Sequence, residues 1–289
     1  MDTFPLIEVS PEELFPSLAE LPQPPKTLFV RGNADAIKDR SLLVVVGSRS
    51  CTSYGKSVCR SLIEGLKGYP IAIVSGLALG IDSVAHEAAL DAGLPTVAFP
   101  GSGLDWKVLY PAQHKQLAER ILKSGGLLVS EYDPYTKAAP WTFPQRNRLM
   151  AGAGAFVLVV EAEMKSGTLI TARLGTEYNK IVGAVPGAVT SITSEGTNWL
   201  LKMGAVPVTS PEDIVRELDL LTEETTAART TAIASAEEIR LLSLLTEPLT
   251  RDQLIDALES DPAAVTILLS SLEIKGLIRE SFGTIERIG

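Results

Sequence analysis

The sequence predicts an α/β fold whose main part is a mostly parallel sheet with helices on both faces. From residue 41 to about 220, short apolar runs alternate with amphipathic stretches, a pattern typical of βαβ units. Small or polar residues follow each apolar run, as expected where parallel strands end. The chain has 289 residues and is 45% hydrophobic, so it can bury a substantial core and is long enough for two domains.

A proline-rich segment, residues 1–40, precedes the predicted sheet domain. Ser10, followed by Pro11 and two glutamates, predicts a short helix that starts with a capping box. Residues 28–30 predict a strand at the edge of the sheet. We expect residues 1–40 to pack against the main domain, residues 41–220, rather than to fold alone.

Each predicted strand of the main domain is a short apolar run bounded by small or polar residues. The predicted strands are residues 42–46, 71–74, 96–99, 127–129, 156–160, 182–185 and 206–208. Open sheets of parallel strands bind ligands outside the carboxyl ends of the strands. The loops that follow these runs are therefore where function is expected.

Glycine-rich turns follow several of these strands. They include Gly47-Ser48-Arg49, Ser75-Gly76, Gly101-Ser102-Gly103, Ser166-Gly167-Thr168 and Pro186-Gly187. One such turn indicates little, because loops between strands and helices need glycine for backbone reasons alone. Several turns at one edge of a sheet predict a mouth that binds phosphate.

The segment 143–172 holds the clearest signal for a ligand. An aromatic residue, Phe143, stands just before two arginines, Arg146 and Arg148. A buried strand follows, and then the Ser166–Thr168 turn, whose hydroxyls can cap a helix while its amides turn toward a ligand. Guanidinium groups beside a flat ring favour a phosphate that carries a stackable base.

Each of these residues also has a simpler interpretation. Arg146 and Arg148 are two apart and face different ways on a helix, so we expect one to face the ligand and the other to pair with an acid such as Glu161. Phe143 alone could equally be a core residue. Asp82 and His86 share a helix face and could form a catalytic pair, but no nucleophile accompanies them, and a structural hydrogen bond is favoured.

No residue pattern indicates a metal or a cofactor. The two cysteines, Cys51 and Cys59, form no CxxC motif and are expected to be buried small side chains in a reducing compartment. Together with the lack of a long apolar run, this favours a cytoplasmic protein without a membrane span. The formal charge of −9 argues against a protein that coats nucleic acid indiscriminately, but leaves room for a local site.

After the main domain, residues 221–234 contain few large apolar side chains and are predicted to be a linker. Residues 236–245, 251–258 and 262–275 predict three helices, and 278–288 predict a hairpin, so residues 235–289 resemble a winged helix. Ten acidic residues against five basic ones give this segment a formal charge of −5. The third helix also lacks side chains for bidentate base contacts, so a protein-contact or structural role is favoured over duplex binding.

Taken together, the motifs resemble one family, the bacterial DNA-processing protein A (DprA, also called Smf) proteins. The resemblance covers residues 21–289. The matching stretches are Pro24-Pro25-x-x-Leu28-x-x-x-Gly32, Val46-Gly47-Ser48-Arg49-x-x-Thr52-x-Tyr54-Gly55, Ser75-Gly76-x-Ala78-x-Gly80-Ile81-Asp82-x-x-Ala85-His86, Gly101-x-Gly103-x-Asp105-x-x-x-x-Tyr110-Pro111, Phe143-Pro144-x-Arg146-Asn147-Arg148, Glu161-Ala162-x-x-x-Ser166-Gly167-Thr168-Leu169-Ile170-Thr171-Ala172 and Val185-Pro186-Gly187.

The resemblance implies an extended Rossmann-like domain that binds single-stranded DNA and forms homodimers. It further implies a protein that protects incoming DNA and loads the recombinase RecA during natural transformation, without catalytic activity of its own. By position, Arg49 resembles the family's phosphate-contacting arginine and Phe143 the aromatic residue on which a base rests. Where the family usually has a lysine, this chain has Pro140, and Lys137 is the nearest substitute.

Ten residues form the predicted nucleic-acid-binding set. They are Gly47, Ser48, Arg49, Lys137, Phe143, Arg146, Arg148, Ser166, Gly167 and Thr168. Two further differences from the family are Gly175, where alanine is usual, and the absence or reduction of an N-terminal helical domain.

The alternative is a nucleotide hydrolase of the Rossmann-like nucleoside-monophosphate phosphoribohydrolase type. Those enzymes need a Pro-Gly-Gly-x-Gly-Thr-x-x-Glu motif, whereas the turn at Ser166 has no glutamate at the matching offset. A dehydrogenase is disfavoured, because Trp106 stands where the third glycine of a dinucleotide fingerprint belongs.

Overall fold

The computed structural model describes residues 4–222, 230–231, 233–258, 260–281 and 283–287. These residues fall into two compact units. The larger unit comprises the residues up to Leu66 together with Pro70–Leu218, and the smaller comprises Lys67–Tyr69 and the residues from Asp219 onwards. Residues 223–229 and 232 of the predicted linker lie outside the described part of the chain, as do Phe282 and Ile288 of the predicted hairpin.

Within the described residues, the larger unit is built on a nine-stranded sheet. Its strands are β1 (Ile7–Val9), β2 (Leu28–Gly32), β3 (Ser41–Val46), β4 (Ile71–Ser75), β5 (Thr96–Ala98), β6 (Leu127–Ser130), β7 (Phe156–Val159), β8 (Ile181–Ala184) and β9 (Val206–Pro207). Their order across the sheet is β1-β2-β6-β5-β4-β3-β7-β8-β9. The pairs from β6 to β9 are parallel, whereas β1–β2 and β2–β6 are antiparallel. The mostly parallel sheet is confirmed, and each strand predicted after residue 41 is present within one residue at either end.

The N-terminal segment differs from its prediction in two respects. Strand β2 is not at the edge of the sheet, because β1 covers it there, with Ile7 opposite Val30. Three residues between prolines were too short a run to predict β1. The helix after Ser10, α1 (Pro11–Leu14), has no capping box, since the Ser10 side chain makes no capping hydrogen bond.

Helices cover both faces of the sheet. They are α2 (Ser53–Glu64), α3 (Ile81–Ala92), α4 (Lys115–Lys123), α5 (Thr142–Ala153), α6 (Thr168–Glu177), α7 (Glu195–Lys202) and α8 (Pro211–Glu217), with short 3-10 turns at Pro16–Glu20, Ala34–Ile37, Ala112–His114 and Ile192–Ser194. Alternation along β6 shows the two faces. Leu127 and Val129 pack in one core with Leu149 of α5, whereas Leu128 packs in another with Leu117 of α4.

The register of the parallel strands brings several strand ends to one edge of the sheet. Val46, the last residue of β3, lies opposite Val159 of β7, and Ser75 of β4 lies opposite Ala98 of β5. The residues that follow these strands therefore leave the sheet side by side. This edge is where the glycine-rich turns meet.

The smaller unit has the predicted winged-helix elements. They are α9 (Ala236–Leu244), α10 (Arg251–Leu258), α11 (Pro262–Ile274), β10 (Ile278–Ser281) and β11 (Thr284–Arg287). The two strands form an antiparallel hairpin, and Leu249 adds a bridge to Ile285. Leucines from all three helices form its core together with Ile278 and Ile285.

The helices in the described part of the chain include none that is both long enough and apolar enough to span a lipid bilayer.

Candidate nucleic-acid interface

The first glycine turn follows β3 and is held against the start of α3. A Cβ atom on Gly47 would lie 2.5 Å from Cγ1 of Ile81, so only glycine fits beneath this helix. The amide of Ile81 donates to the carbonyl of Ser48 (3.1 Å), and the Ser48 hydroxyl accepts from the amide of Ser50 (3.1 Å). This fixed turn leaves the side chain of Arg49 exposed at the edge of the sheet.

The second turn, Ser166 to Thr168, lies against the first. The hydroxyl of Thr168 donates to the carbonyl of Gly47 (3.1 Å). The amide of Thr168 donates to the hydroxyl of Ser166 (3.2 Å), so Ser166 satisfies one amide at the start of α6, as expected. The two glycine turns thus form one continuous surface.

Phe143 lies at the rim of this surface rather than in the core. A Cβ atom on Gly101 would come within 2.6 Å of the Phe143 ring, so the ring packs closely on a glycine backbone. The Arg49 Cζ atom is 5.0 Å from the ring centroid, within the range of a cation–π interaction. Tyr110 contacts the same ring edge-on, at 5.7 Å between centroids. The ring is only partly buried.

Arg146 is the buried cation of the site. One of its guanidinium nitrogens donates to the carbonyls of Gly76 (2.5 Å) and Phe99, and thereby joins the loops after β4 and β5. Burial lowers the pKa of Arg146 to about 10, an effect that the nearby Asp82 carboxylate opposes. The guanidinium therefore stays charged at neutral pH.

Arg148 turns away from this surface. It forms an ion pair with Glu131 and donates to the carbonyl of Gln23 (2.8 Å). The expectation that one of the two arginines pairs with an acid is correct, but the choice of Glu161 is wrong. Glu161 is buried and accepts from the amide (2.8 Å) and the hydroxyl (2.5 Å) of Thr52, so it fixes the start of α2 and orients no arginine.

A cavity of about 680 Å³ lies between the two turns and α5. Of the predicted set, its lining includes Gly47, Ser48, Arg49, Phe143, Arg146, Ser166, Gly167 and Thr168. Lys137 is exposed and, like Arg148, does not line it. The structure thus brings the glycine turns, one exposed arginine, one buried arginine and the aromatic ring to a single site.

The cavity also has lining residues outside the predicted set. They include Asp82, Asn147, Lys165 and Thr171. Lys165 and Asn147 stand beside predicted residues in sequence, and that adjacency was the available signal. Asp82, on α3, has no such adjacency to the predicted set, and it comes close to Arg146 only because both contact Gly76 in the loop after β4.

The side chains of Asp82 and His86 form hydrogen bonds with different partners. The carboxylate of Asp82 accepts from the amides of Gly76 (3.1 Å) and Ala78 (3.3 Å), and burial raises its pKa against the opposing effect of Arg146. His86 pairs through Nδ1 with the hydroxyl of Thr96 (2.7 Å), and burial lowers its pKa to about 3. The structural interpretation favoured from the sequence fits these contacts.

The two cysteines differ in exposure. Cys59 is buried as expected, whereas Cys51 is partly exposed, because it belongs to the loop between β3 and α2. Within the described ranges, no group of three or more histidine, cysteine, aspartate or glutamate side chains is arranged to hold a metal ion.

Two family models match the chain. The model described as DNA recombination-mediator protein A matches residues 7–219, and the model of the DprA winged helix domain matches residues 225–283. The second match assigns the smaller unit to the winged-helix class.

Curated proteins show the same relationship. Protein Smf of Escherichia coli is 41% identical over 213 residues, which are 74% of this chain and 56% of that protein. The DNA processing protein DprA of Streptococcus pneumoniae is 41% identical over 202 residues, which are 70% of each chain. The chain thus matches only a little more than half the length of the Escherichia coli protein.

Solved structures share the fold. DNA processing protein A from Streptococcus pneumoniae superposes with a TM-score of 0.68 at 38% identity and covers 75% of both chains. DNA processing protein A from Helicobacter pylori, which binds single-stranded DNA, superposes with a TM-score of 0.67 at 29% identity, over 75% of this chain and 96% of that one. The family model over residues 7–219 and the relative that is 41% identical over 70% of its length show that the chain belongs to the DNA recombination-mediator protein A (DprA/Smf) family.

Proposed function

We propose that the chain binds single-stranded DNA across the cavity between the glycine turns and α5. One observation supports this most: the exposed guanidinium of Arg49 lies 5.0 Å from the Phe143 ring at the rim of the cavity. A nucleotide presents both a phosphate and a flat base, which match a cation and an aromatic ring placed side by side. In a duplex the base faces are already stacked, so the ring favours a single strand.

The charge distribution supports a local site instead of a general affinity for nucleic acid. The whole chain has a formal charge of −9. The cavity is lined by three cations, Arg49, Arg146 and Lys165, against two acids, Asp82 and Glu163. Asp82 is also buried, and its carboxylate accepts from the amides of Gly76 and Ala78. The remaining charge favours an anion here and not over the whole surface.

We propose further that the chain acts as a homodimer, protects incoming DNA and loads RecA onto the strand in natural transformation. Family membership supports this role, as does the single-stranded DNA binding of the Helicobacter pylori protein.

For the dimer, the segment 189–203 offers large apolar side chains to solvent. They are Val189, Ile192, Trp199 and Met203. A second copy that covers them would remove apolar area from water.

The proposed role is not enzymatic, and the contacts of the buried carboxyl support this. A general base must lie within hydrogen-bond reach of the proton that it abstracts. Asp82 is engaged by two backbone amides, and Glu161 by Thr52. Release of free base from AMP by the purified protein would revive the hydrolase alternative.

The test uses fluorescence anisotropy with a labelled oligothymidine and its duplex counterpart. Arg49→Ala is expected to weaken binding to the single strand by about tenfold or more, the size of one charge-assisted contact. The matched control is Lys38→Ala, since Lys38 is also exposed but precedes β3 and so lies at the opposite edge of the sheet. Arg49→Ala binding as tightly as wild type, or a duplex bound more tightly than the single strand, would overturn the proposal.

A further inference from the structure

A second groove adjoins the proposed DNA site. It has a volume of about 640 Å³ and lies between the start of α2 and the start of α3. Arg49 and Ser50 line both this groove and the first cavity. A ligand that passes Arg49 can therefore enter the second groove without crossing another part of the fold.

The groove has one cation besides Arg49 that is available to a ligand. Lys56, on the first turn of α2, is exposed and forms no ion pair with any residue that the structure describes. Arg60, one turn further along, also lines the groove, but it is held by Asp91 (2.7 Å), Glu64 (3.7 Å) and Glu87 (4.0 Å). Apart from Arg49, Lys56 is thus the cation of this groove whose charge is not neutralised by a carboxylate of the described residues.

The remaining lining suits a sugar–phosphate backbone better than a base. Apart from Val84 and Glu87, whose carboxylate lies 4.0 Å from Arg60, the groove is lined by small or polar groups that include Ser50, Ser57 and Ser83. The groove lining contains no aromatic ring on which a base could rest. Hydroxyls and a lysine are groups that position phosphates without selecting a sequence.

We propose that the second groove binds the phosphodiester next to the nucleotide held in the first cavity, with Lys56 as its cation and Arg49 between the two sites. The strand then runs from Phe143 past Arg49 and leaves along the start of α2. This inference rests on the proposed function, because the groove has no reason to receive a phosphodiester unless the first cavity holds a nucleotide.

Cys51 provides a reporter inside the groove. It lines the groove and is partly exposed, whereas Cys59, the other cysteine, is buried. Burial also raises the pKa of the Cys51 thiol, so a thiol-specific reagent should be applied at mildly alkaline pH. A strand in the groove would cover Cys51, while a ligand confined to the first cavity would leave it reactive.

The affinity test compares thymidine 5′-monophosphate, which contains no phosphodiester, with an oligothymidine of eight nucleotides. Lys56→Ala is expected to weaken binding of the longer strand by about tenfold and to reduce its salt slope by about 0.7, one phosphate contact. Binding of the mononucleotide should change less than about twofold. Lys38→Ala serves as the control, and thermal unfolding confirms that the variants are folded.

The protection test asks whether the longer strand, but not the mononucleotide, slows modification of Cys51. Cys51→Ser gives the background from Cys59. Equal effects of Lys56→Ala on both lengths, no effect on either, or no protection of Cys51 by the longer strand would overturn the second groove and leave the first cavity standing. Wild-type binding by Arg49→Ala would overturn both proposals.

Discussion

Arg146 and Arg148 show how the position of a residue on a helix decides which part of the molecule its side chain contacts. At 100° per residue, Arg146 and Arg148 point to nearly opposite sides of α5. Arg146 turns inward and joins the loops after β4 and β5 through their carbonyls, while Arg148 pairs with Glu131. The sequence predicted this division but not the partner, because Glu131 follows β6 and reaches α5 only through the packing of the sheet. Arg49 is left as the exposed arginine of the cavity.

Phe143 provides a test at the same scale. Phe143→Ala should weaken binding of oligothymidine by about 1–3 kcal/mol, the cost of one lost stacking contact, whereas Phe143→Trp should retain binding. Anisotropy titrations measure both. A shared loss in the two variants would indicate that Phe143 only packs on Gly101, and an unchanged affinity in the alanine variant would remove the ring from the binding site.

At the scale of elements, the sheet was predictable because its strands are runs of valine, leucine and isoleucine between glycine turns. β3 and β7 are examples, and both are fully buried at their centres. Strand β1 was not predictable, since Ile7–Val9 is short, largely exposed and gains its place only by pairing with β2. Lys137 illustrates the same limit for the site. It is near Phe143 in sequence, but the loop before α5 leads it away from the cavity.

In the winged-helix unit, one buried carboxylate, that of Glu238, links two of the helices. Glu238 accepts from Lys275 Nζ (2.6 Å) and Ser271 Oγ (2.6 Å) and completes a capping box with Ser235. Burial alone would raise the pKa of Glu238, but these hydrogen bonds outweigh it and lower the pKa to about 2. The carboxylate thereby fixes α9 to α11.

Glu238→Gln should therefore destabilise the winged-helix unit by roughly 1–3 kcal/mol at neutral pH. Because the folded-state pKa is depressed below its ordinary value of 4.5, the contribution is complete above pH 4.5 and is lost as the pH falls toward 2. Hydrogen exchange of peptides from α9 measures this locally. The matched control is the exposed neighbour, Glu237→Gln. Equal protection in both variants across this pH range would contradict the assignment.

The exposed face of α11 also bears on the role of this unit. Ile267 is 70% exposed and Ile274 is 88% exposed, one heptad apart on the same side of the helix. Three of the basic residues of the unit, Arg251, Lys275 and Arg279, are already in ion pairs. An apolar helix face beside paired charges favours a protein contact over the phosphate backbone of a duplex, in agreement with the expectation from the sequence.

For the whole molecule, a formal charge of −9 together with the three cations of the first cavity supports the proposal of local DNA binding, and the proposed dimer uses another surface. Trp199→Glu places a charge in the apolar segment 189–203 and should convert the proposed dimer into a monomer. Light scattering during size exclusion measures the mass. Ile7→Glu, which alters an exposed side chain on β1, is the control. A wild-type monomer, or a Trp199→Glu dimer, would contradict the proposed interface.

The proposed binding mode places a single strand in the cavity between the glycine turns and α5. Photo-cross-linking of an oligonucleotide that contains 5-iodouracil, followed by mass spectrometry, tests it most directly. Cross-links are expected in the peptide that contains Phe143, and they should be lost in Arg49→Ala. Cross-links confined to α9, α10 and α11, with none near Phe143, would contradict it.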